Sequence, residues 1–290
     1  MTMLVFGKSG QVSLALQRSA AQKGIPIKVI GSEDLDLATL SDTQLITDLI
    51  KTHDAHAILN AAAYTAVDQA ESEPEKARAI NAHAPNLMAK ACAKAAIPLI
   101  HVSTDFVFDG SATTPYREDA PTGPVSVYGE TKLEGEQAII QSGGSFAIIR
   151  TAWVFSADGN NFVKTMLRLG AEREELTIIA DQFGMPTPAG AIAEAMLTIA
   201  NQLIASPEKS GIYHFAGDEK TNWAGFARAI FDEAGLATKV IDIQTEQYPT
   251  PAKRPAWSVL DCQKISQTFQ IPSPSWRAAL RDVIATLNKP

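Results

Sequence analysis

Tyr128 and Lys132 stand four residues apart in the run Tyr128-Gly129-Glu130-Thr131-Lys132. On a helix that spacing puts both side chains on one face. A phenol alone is a weak acid at neutral pH, and a neighbouring ammonium favours its ionised form. Such a pair can hand a proton to an oxygen that is becoming an alkoxide. Ser103-Thr104-Asp105 closes the preceding apolar segment, and the Thr104 hydroxyl can donate to the same oxygen. A second chemical signal opens the chain, in Gly7-Lys8-Ser9-Gly10-Gln11-Val12-Ser13. Gly7 permits a tight turn and Gly10 lets the backbone approach a pyrophosphate. The free amides of a following helix then favour the anion. Ser13 replaces the third glycine of that pattern, at a position that mainly governs close packing of helix on strand. A dinucleotide that supplies hydride, beside a phenol that supplies a proton, is the equipment of a carbonyl reductase.

The residue that reads the cofactor ribose belongs at the end of the second strand. An acid there binds a 2′-hydroxyl, and a basic residue accommodates a 2′-phosphate. The chain offers Gly31-Ser32-Glu33-Asp34, with no acid at the strand tip and no arginine. Lys8 can meet a 2′-phosphate or be an ordinary solvated lysine. NADH and NADPH both stay open, with Lys8 inclining the reading to NADPH.

The elements that must hold these residues alternate. Apolar runs at 3–6, 25–30, 57–59, 98–102 and 146–149 read as strands. Helical spacing begins at Leu14 and fades near Gly24, recurs over 77–95, and passes through Tyr128 and Lys132 to Ile140. That order predicts an α/β fold, a Rossmann-type doubly wound parallel sheet with helices on both faces. After Arg150 the pattern loosens: 161–169 and 189–204 are helical in period, 176–180 is strand-like, and Pro249, Pro251, Pro255, Pro272 and Pro274 cluster. Residues 1–150 are expected to form a dinucleotide-binding domain. Residues 151–290 are expected to form mainly a smaller C-terminal substrate-binding lobe, with some segments returning to the sheet.

Composition narrows the class. The 290 residues are 46% hydrophobic and 20% charged, with net charge −7, the balance of a globular protein with its own core. An acidic chain lacks the basic footprint of nucleic-acid or membrane-surface binding. Two cysteines argue against a disulfide scaffold and fit a reducing, cytoplasmic setting. Residues 1–7 read as a strand rather than a signal peptide, and no apolar run is long enough to span a bilayer. Five histidines show no metal-ligand spacing. His101 reads as packed. Trp153 can stack on a sugar ring or pack in a core, and Lys253-Arg254 is either a basic site for an anion or a solvated surface.

Taken in order, the motifs resemble the dTDP-4-dehydrorhamnose reductase family of the extended short-chain dehydrogenase/reductase superfamily. The likeness runs over most of the chain. Beyond the opening glycine turn, it rests on Asn60-Ala61-Ala62-Ala63-Tyr64-Thr65-Ala66-Val67-Asp68 with Glu71, on Ser103-Thr104-Asp105-Phe106-Val107-Phe108-Asp109-Gly110, and on Tyr128 to Glu136. It continues through Arg150-Thr151-Ala152-Trp153, Asp181-Gln182-Phe183-Gly184-Met185-Pro186-Thr187 and Arg254-Pro255-Ala256-Trp257-Ser258.

The resemblance implies hydride delivery from NADPH or NADH to C4 of dTDP-4-dehydro-L-rhamnose. Tyr128 would be the proton donor, Lys132 its electrostatic partner and ribose contact, and Thr104 the hydroxyl that orients the carbonyl. Gly7, Gly10, Gln11 and Val12 would line the pyrophosphate, and Ala62, Ala63 and Tyr64 would flank the cofactor. Asp105 and Trp153 would shape the sugar site, with Arg254 at the nucleotide end of the nucleotide-sugar substrate. The chain departs from the family pattern at Ser13, at Phe106 where tyrosine is common, and at Ser126 where asparagine is common. Some members form dimers bridged by Mg2+ through carboxylates. Gly190 falls near where such an acid belongs, so that bridge and a metal site are not expected from the residues, while the resemblance leaves Mg2+ dependence open, and a monomer or a homodimer fits. Two other readings stand beside this one: an epimerase or dehydratase of the same superfamily, and a non-catalytic regulatory subunit like that of methionine adenosyltransferase.

Overall fold

The computed structural model describes residues 1–288. Six parallel strands form the main sheet: β1 (Thr2–Phe6), β2 (Ile27–Ile30), β3 (Ala55–Asn60), β4 (Leu99–Thr104), β5 (Phe146–Thr151) and β10 (Gly211–His214), in the order β10-β5-β4-β3-β1-β2. The chain reverses direction across the sheet between β1 and β3. In open α/β sheets ligands gather at that reversal, outside the carboxyl ends of the strands.

The strands are apolar throughout because both faces are covered. Met3 and Val5 of β1, with Ala57 and Leu59 of β3, pack toward α1 (Gln11–Lys23) and α8 (Ala189–Ala205). Leu4, Phe6 and Ile58, one residue out of step, pack toward α2 (Thr43–Thr52) and α5 (Ala84–Ala95). This two-residue alternation is the strand's own period, filled on both sides. Local signals set the ends. Gly24 closes α1 at φ 63°, and the Asp42 carboxylate accepts the Gln44 amide at 2.8 Å to start α2. Such a cap is worth about 1 kcal/mol.

The helical spacing over 77–95 predicts one helix, and the structure interrupts it. After the single turn α3 (Val67–Ala70), α4 (Pro74–Arg78) runs into a π turn at Ala79–His83 before α5 begins. Asn81 of that turn receives the Tyr64 amide at 2.8 Å, and its own amide donates to the Tyr64 carbonyl at 3.1 Å and to Thr131 at 3.2 Å. A π turn of this kind is a common mark of a functional segment. α6 (Val127–Gln141) starts on Ser126, whose hydroxyl accepts the Gly129 amide at 3.3 Å.

Beyond β5 come the short β6 (Val154–Phe155), α7 (Phe162–Glu172), β7 (Glu175–Ile179), β8 (Phe183–Gly184) and β9 (Thr187–Pro188), then α8. After β10 follow β11 (Thr221–Asn222), α9 (Trp223–Ala234), β12 (Lys239–Ile243), α10 (Gln263–Phe269) and α11 (Trp276–Leu287). A separate apolar cluster joins α7, α9 and α11 through Val163, Met166, Phe226, Ile230, Trp276 and Leu280. β7 and β12 pair in parallel beside it. The chain thus leaves the main sheet after β5, returns with α8 and β10, leaves again, and comes back with α10, whose Ile265 and Phe269 join the cluster under the sheet. No described helix is long and apolar enough to cross a membrane.

Candidate active site

The glycine turn sits where the strand order reverses. Gly7 has φ 101°, and a Cβ there would come within 3.2 Å of the Ala62 amide nitrogen. The turn after β1 therefore lies directly against the segment after β3, a closeness that suits only glycine. Ser13 takes up the third-glycine position without loss of contact, its hydroxyl donating to the Gly7 carbonyl at 2.5 Å. Gly10 is exposed, with nothing within 4 Å of a built Cβ. It precedes the N-terminus of α1, whose amides and dipole favour an anion. A cleft of about 570 Å3 opens there, lined by Gly7, Lys8, Gly10, Gly31, Glu33, Ala62 and Ala63 among others, a size suited to a bound cofactor fragment. These residues fit the phosphates and adenosine of a dinucleotide.

Gln11 and Val12 are placed differently from a simple pyrophosphate lining. Val12 packs its side chain in the core under α1. Gln11 reaches across to the second half, accepting from Ser156 at 2.9 Å and Asn161 at 2.9 Å. Neither is among the residues that line the cleft. Tyr64 is held by Asn81 through its backbone and by Glu73 through its hydroxyl, at 3.0 Å.

Thr104 ends β4 and Asp105 follows it, both buried. The Thr104 hydroxyl donates to Asp105 Oδ1 at 3.1 Å and accepts the Phe106 amide at 3.2 Å. Asp105 Oδ2 has no partner. Burial pushes the Asp105 carboxyl up to about 6. Tyr128 lies in the first turn of α6, half-buried, with Phe106 edge-on to its ring at 5.5 Å. The contact is close because Gly129 leaves no side chain between α6 and the Phe106 carbonyl. Burial drives the Tyr128 phenol up to about 12, against the pull of a hydrogen bond with Thr104. The structure thus brings together Thr104, Asp105 and Tyr128.

Lys132 is differently employed. Its Nζ donates to the Val102 carbonyl at 2.7 Å and lies 3.1 Å from His101 Nε2. Burial lowers it to about 8, with Glu136 opposing. The spacing predicts an ammonium that lowers the tyrosine. Here desolvation dominates the phenol, and the amine's contacts are on β4.

Trp153, in the left-handed region at φ 47°, stacks on Trp223 at 3.6 Å. Arg254 is engaged by Asp68 through two bonds, at 3.0 and 2.8 Å. Motif spacing alone does not single out three contributors: His101, Asn81 and Glu33. Strand parity signals the first, since His101 and Ser103 alternate on one face of β4. Two strand residues rise about 6.6 Å and four helical residues about 6 Å, so that face matches Lys132 and Glu136 on α6. Ser103 meets Glu136 at 2.5 Å. Among the described residues no three acidic, imidazole or thiol groups converge to hold a metal ion. Gly190 offers no ligand, and Glu194 is paired with Lys23 at 2.6 Å.

The family model described as the RmlD substrate binding domain matches residues 1–289. The chain is 43% identical to a dTDP-4-dehydrorhamnose reductase of Sinorhizobium fredii, over 99% of this chain and 98% of that one. A crystal structure of a dTDP-4-dehydrorhamnose reductase from Clostridium acetobutylicum superposes with TM-score 0.92 at 34% identity, covering 100% of both chains. One from Bacillus anthracis in complex with NADP gives 0.90 at 32% identity, covering 98% of this chain and 99% of the other. With its glycine turn at the strand reversal and its threonine and tyrosine side by side, the chain belongs to the RmlD substrate binding domain family, that of the dTDP-4-dehydrorhamnose reductases.

Proposed function

We infer that this chain is an NAD(P)H-dependent reductase that converts the C4 keto group of dTDP-4-dehydro-L-rhamnose to the alcohol of dTDP-L-rhamnose. The observation that carries the reading is that Thr104, at the end of β4, holds the Phe106 amide while the Phe106 ring meets Tyr128, in the first turn of α6, edge-on at 5.5 Å. It stands in a chain of this family.

A reduced nicotinamide, when bound, supplies the hydride. The protein's part is the proton. With its phenol at about 12, Tyr128 stays protonated across the physiological range. It is nevertheless a stronger acid than the secondary alcohol being formed, so transfer to the nascent alkoxide runs downhill. The phenolate left behind is favoured by a cation one helical turn away at Lys132. The Thr104 hydroxyl, which keeps accepting the Phe106 amide, orients the carbonyl oxygen by turning its hydrogen from Asp105 Oδ1 to the substrate. Trp153 and Arg254 are proposed to border the sugar and the nucleotide. Residues 1–150 are proposed as the dinucleotide-binding part, and most of 151–290 as the substrate-binding part. Both NADPH and NADH fit the cleft, with Lys8 favouring the former.

The test is oxidation of NADPH and of NADH at 340 nm with the 4-keto sugar nucleotide, with the product identified. Stoichiometric oxidation and formation of dTDP-L-rhamnose are expected. A superfamily epimerase or dehydratase consumes no added cofactor, and a regulatory subunit binds cofactor and turns over no ketose. Either result overturns the reading.

A further inference from the structure

Asp68 and Glu71 lie three residues apart, on and just after the single turn α3. They reach in different directions. Asp68 Oδ1 and Oδ2 accept Nη1 and Nη2 of Arg254 at 3.0 and 2.8 Å, and Oδ1 also accepts the Ala252 amide at 3.1 Å. Arg254 Nη1 donates further to the Thr250 hydroxyl at 2.6 Å and the Ala252 carbonyl at 2.9 Å. The guanidinium holds the Asp68 carboxyl below the usual carboxylate range, so the pair stays charged. Pro255, next in the chain, lies against Gly110, where a Cβ would come within 2.6 Å of the Pro255 Cα. The strap that carries Arg254 thus crosses the loop that continues from Thr104. At the other end of the turn, Glu71 Oε1 accepts the Val127 amide at 2.9 Å. Val127 is the first residue of α6 and the neighbour of Tyr128, and its amide is one that a helix start leaves without an internal partner. Ala70 of the same turn packs in one apolar cluster with Tyr64, Val127 and Tyr128.

We propose that Asp68 and Glu71 are positioning residues for the reduction: Asp68 sets the guanidinium of Arg254 toward the anionic end of the substrate, and Glu71 sets the first turn of α6, which carries Tyr128. This rests on the reading that Arg254 borders the nucleotide. Asp68 meets the guanidinium end-on, through Nη1 and Nη2, and among the described residues no bond uses Nε. The side edge, Nε–H with the outer Nη2–H, is left as a planar fork of the kind that takes two oxygens of a diphosphate. Asp68 therefore does not compete with the anion for one edge; it fixes the plane in which the other edge lies. Glu71 fixes the helix start, and with it the place from which the phenol projects. The two acids are separated by about 4.5 Å of helix rise. The span from the bound anion to the proton donor is then set by one short piece of chain, which holds the keto carbon of a sugar nucleotide within reach of Tyr128.

The experiment is steady-state reduction of the 4-keto sugar nucleotide, paired with titration of dTDP into the NADPH-bound protein, on the full chain and its variants. Thermal melts check that the variants fold. Arg254→Gln is expected to raise KM and weaken dTDP by roughly tenfold, the scale of one charge-assisted fork. Asp68→Asn does the same by a similar factor, and has no further effect in the Arg254→Gln background, because it acts through that side chain. In both, kcat changes less than KM. Glu71→Ala lowers kcat roughly fivefold, the worth of one helix cap, with dTDP affinity unchanged. Glu71→Gln restores kcat, since its amide oxygen still accepts the Val127 amide. If Arg254→Gln leaves dTDP binding unaltered, the reading of Arg254 at the nucleotide fails and takes the proposal with it. If Arg254→Gln weakens dTDP while Asp68→Asn does not, or the two effects add, Asp68 only tethers its loop, and the proposal is overturned while that reading stands. A Glu71→Ala protein with parental kcat, or one that glutamine does not rescue, overturns the assignment of Glu71.

Discussion

Lys132 Nζ lies 3.1 Å from His101 Nε2, on a histidine whose other nitrogen is 2.9 Å from the Asn60 amide. Asn60 Oδ1 accepts the Ala62 amide at 3.1 Å, which turns Asn60 Nδ2 toward His101 Nδ1. Nδ1 is then the acceptor, so Nε2 carries the hydrogen and presents it to Lys132. A neutral amine can accept it and an ammonium cannot. Burial lowers Lys132 to about 8 against Glu136, and a hydrogen presented by Nε2 favours the neutral amine in the same direction.

Lys132 is a cation below that value and loses its charge as pH rises through it. If the cation supports the developing phenolate, kcat/KM for reduction falls on an alkaline limb near pH 8. In His101→Gln a side-chain oxygen can face the ammonium and favour the charged form, so the limb moves to higher pH. A pH profile of kcat/KM in both proteins checks this, and a limb that stays put or moves down removes His101 from the mechanism.

Tyr128→Phe keeps the ring against Phe106 and removes only the proton. A fall in kcat of roughly 10²–10⁴-fold is expected, the usual worth of general acid catalysis, with little loss of cofactor affinity. Steady-state kinetics paired with cofactor titration measures both, and near-normal turnover would sink the assignment of the proton donor.

Asp105 carries a carboxyl raised by burial from 3.8 to about 6. Between those values the folded protein binds the extra proton, so stability declines as pH rises through the window. At neutral pH the buried charge costs roughly 3 kcal/mol by the size of the shift. Asp105→Asn should therefore melt above the parent at pH 7, with the gap closing toward about pH 4. Melting curves at the two pH values decide it, and a variant less stable at pH 7 contradicts the argument.

Glu136 and Arg150, at 1% and 2% exposure, bond at 2.6 Å, and Glu136 also takes the Ser103 hydroxyl. Removing one charge of a buried pair strands the other. Glu136→Gln should lose roughly 3–5 kcal/mol in chemical denaturation. A loss below about 1 kcal/mol would mean the pair is hydrated, as exposed pairs are.

Much of the sheet was legible because its strands are short apolar runs between turn residues, and β1, β4, β5 and α6 fall within a few residues of expectation. The placement of Thr104 at a strand end and of Tyr128 in the first turn of a helix was legible in the same way. What the chain alone hid is contact made by folding back. Glu33 reaches the tip of β2 only through a turn, and β10 joins the sheet from about sixty residues beyond its neighbour β5. Side-chain competition was hidden too: the spacing of Tyr128 and Lys132 says they share a face, but not that the lysine is occupied by His101 and Val102.

The π turn at Ala79–His83 also changes the meaning of the regular apolar spacing in this region. Each added helical residue rotates the rest of the helix by about 100°. Ala77 and Ile80 consequently pack with Tyr64, Val127 and Tyr128, while Ala84, Leu87, Met88 and Ala91 pack on the sheet. One stripe in the sequence is split into two phases in space, one facing the chemistry and one facing the core. Deleting a single residue there would restore a uniform helix and force the two phases to coincide. The segment would then be able to satisfy the core or the tyrosine, but not both at once.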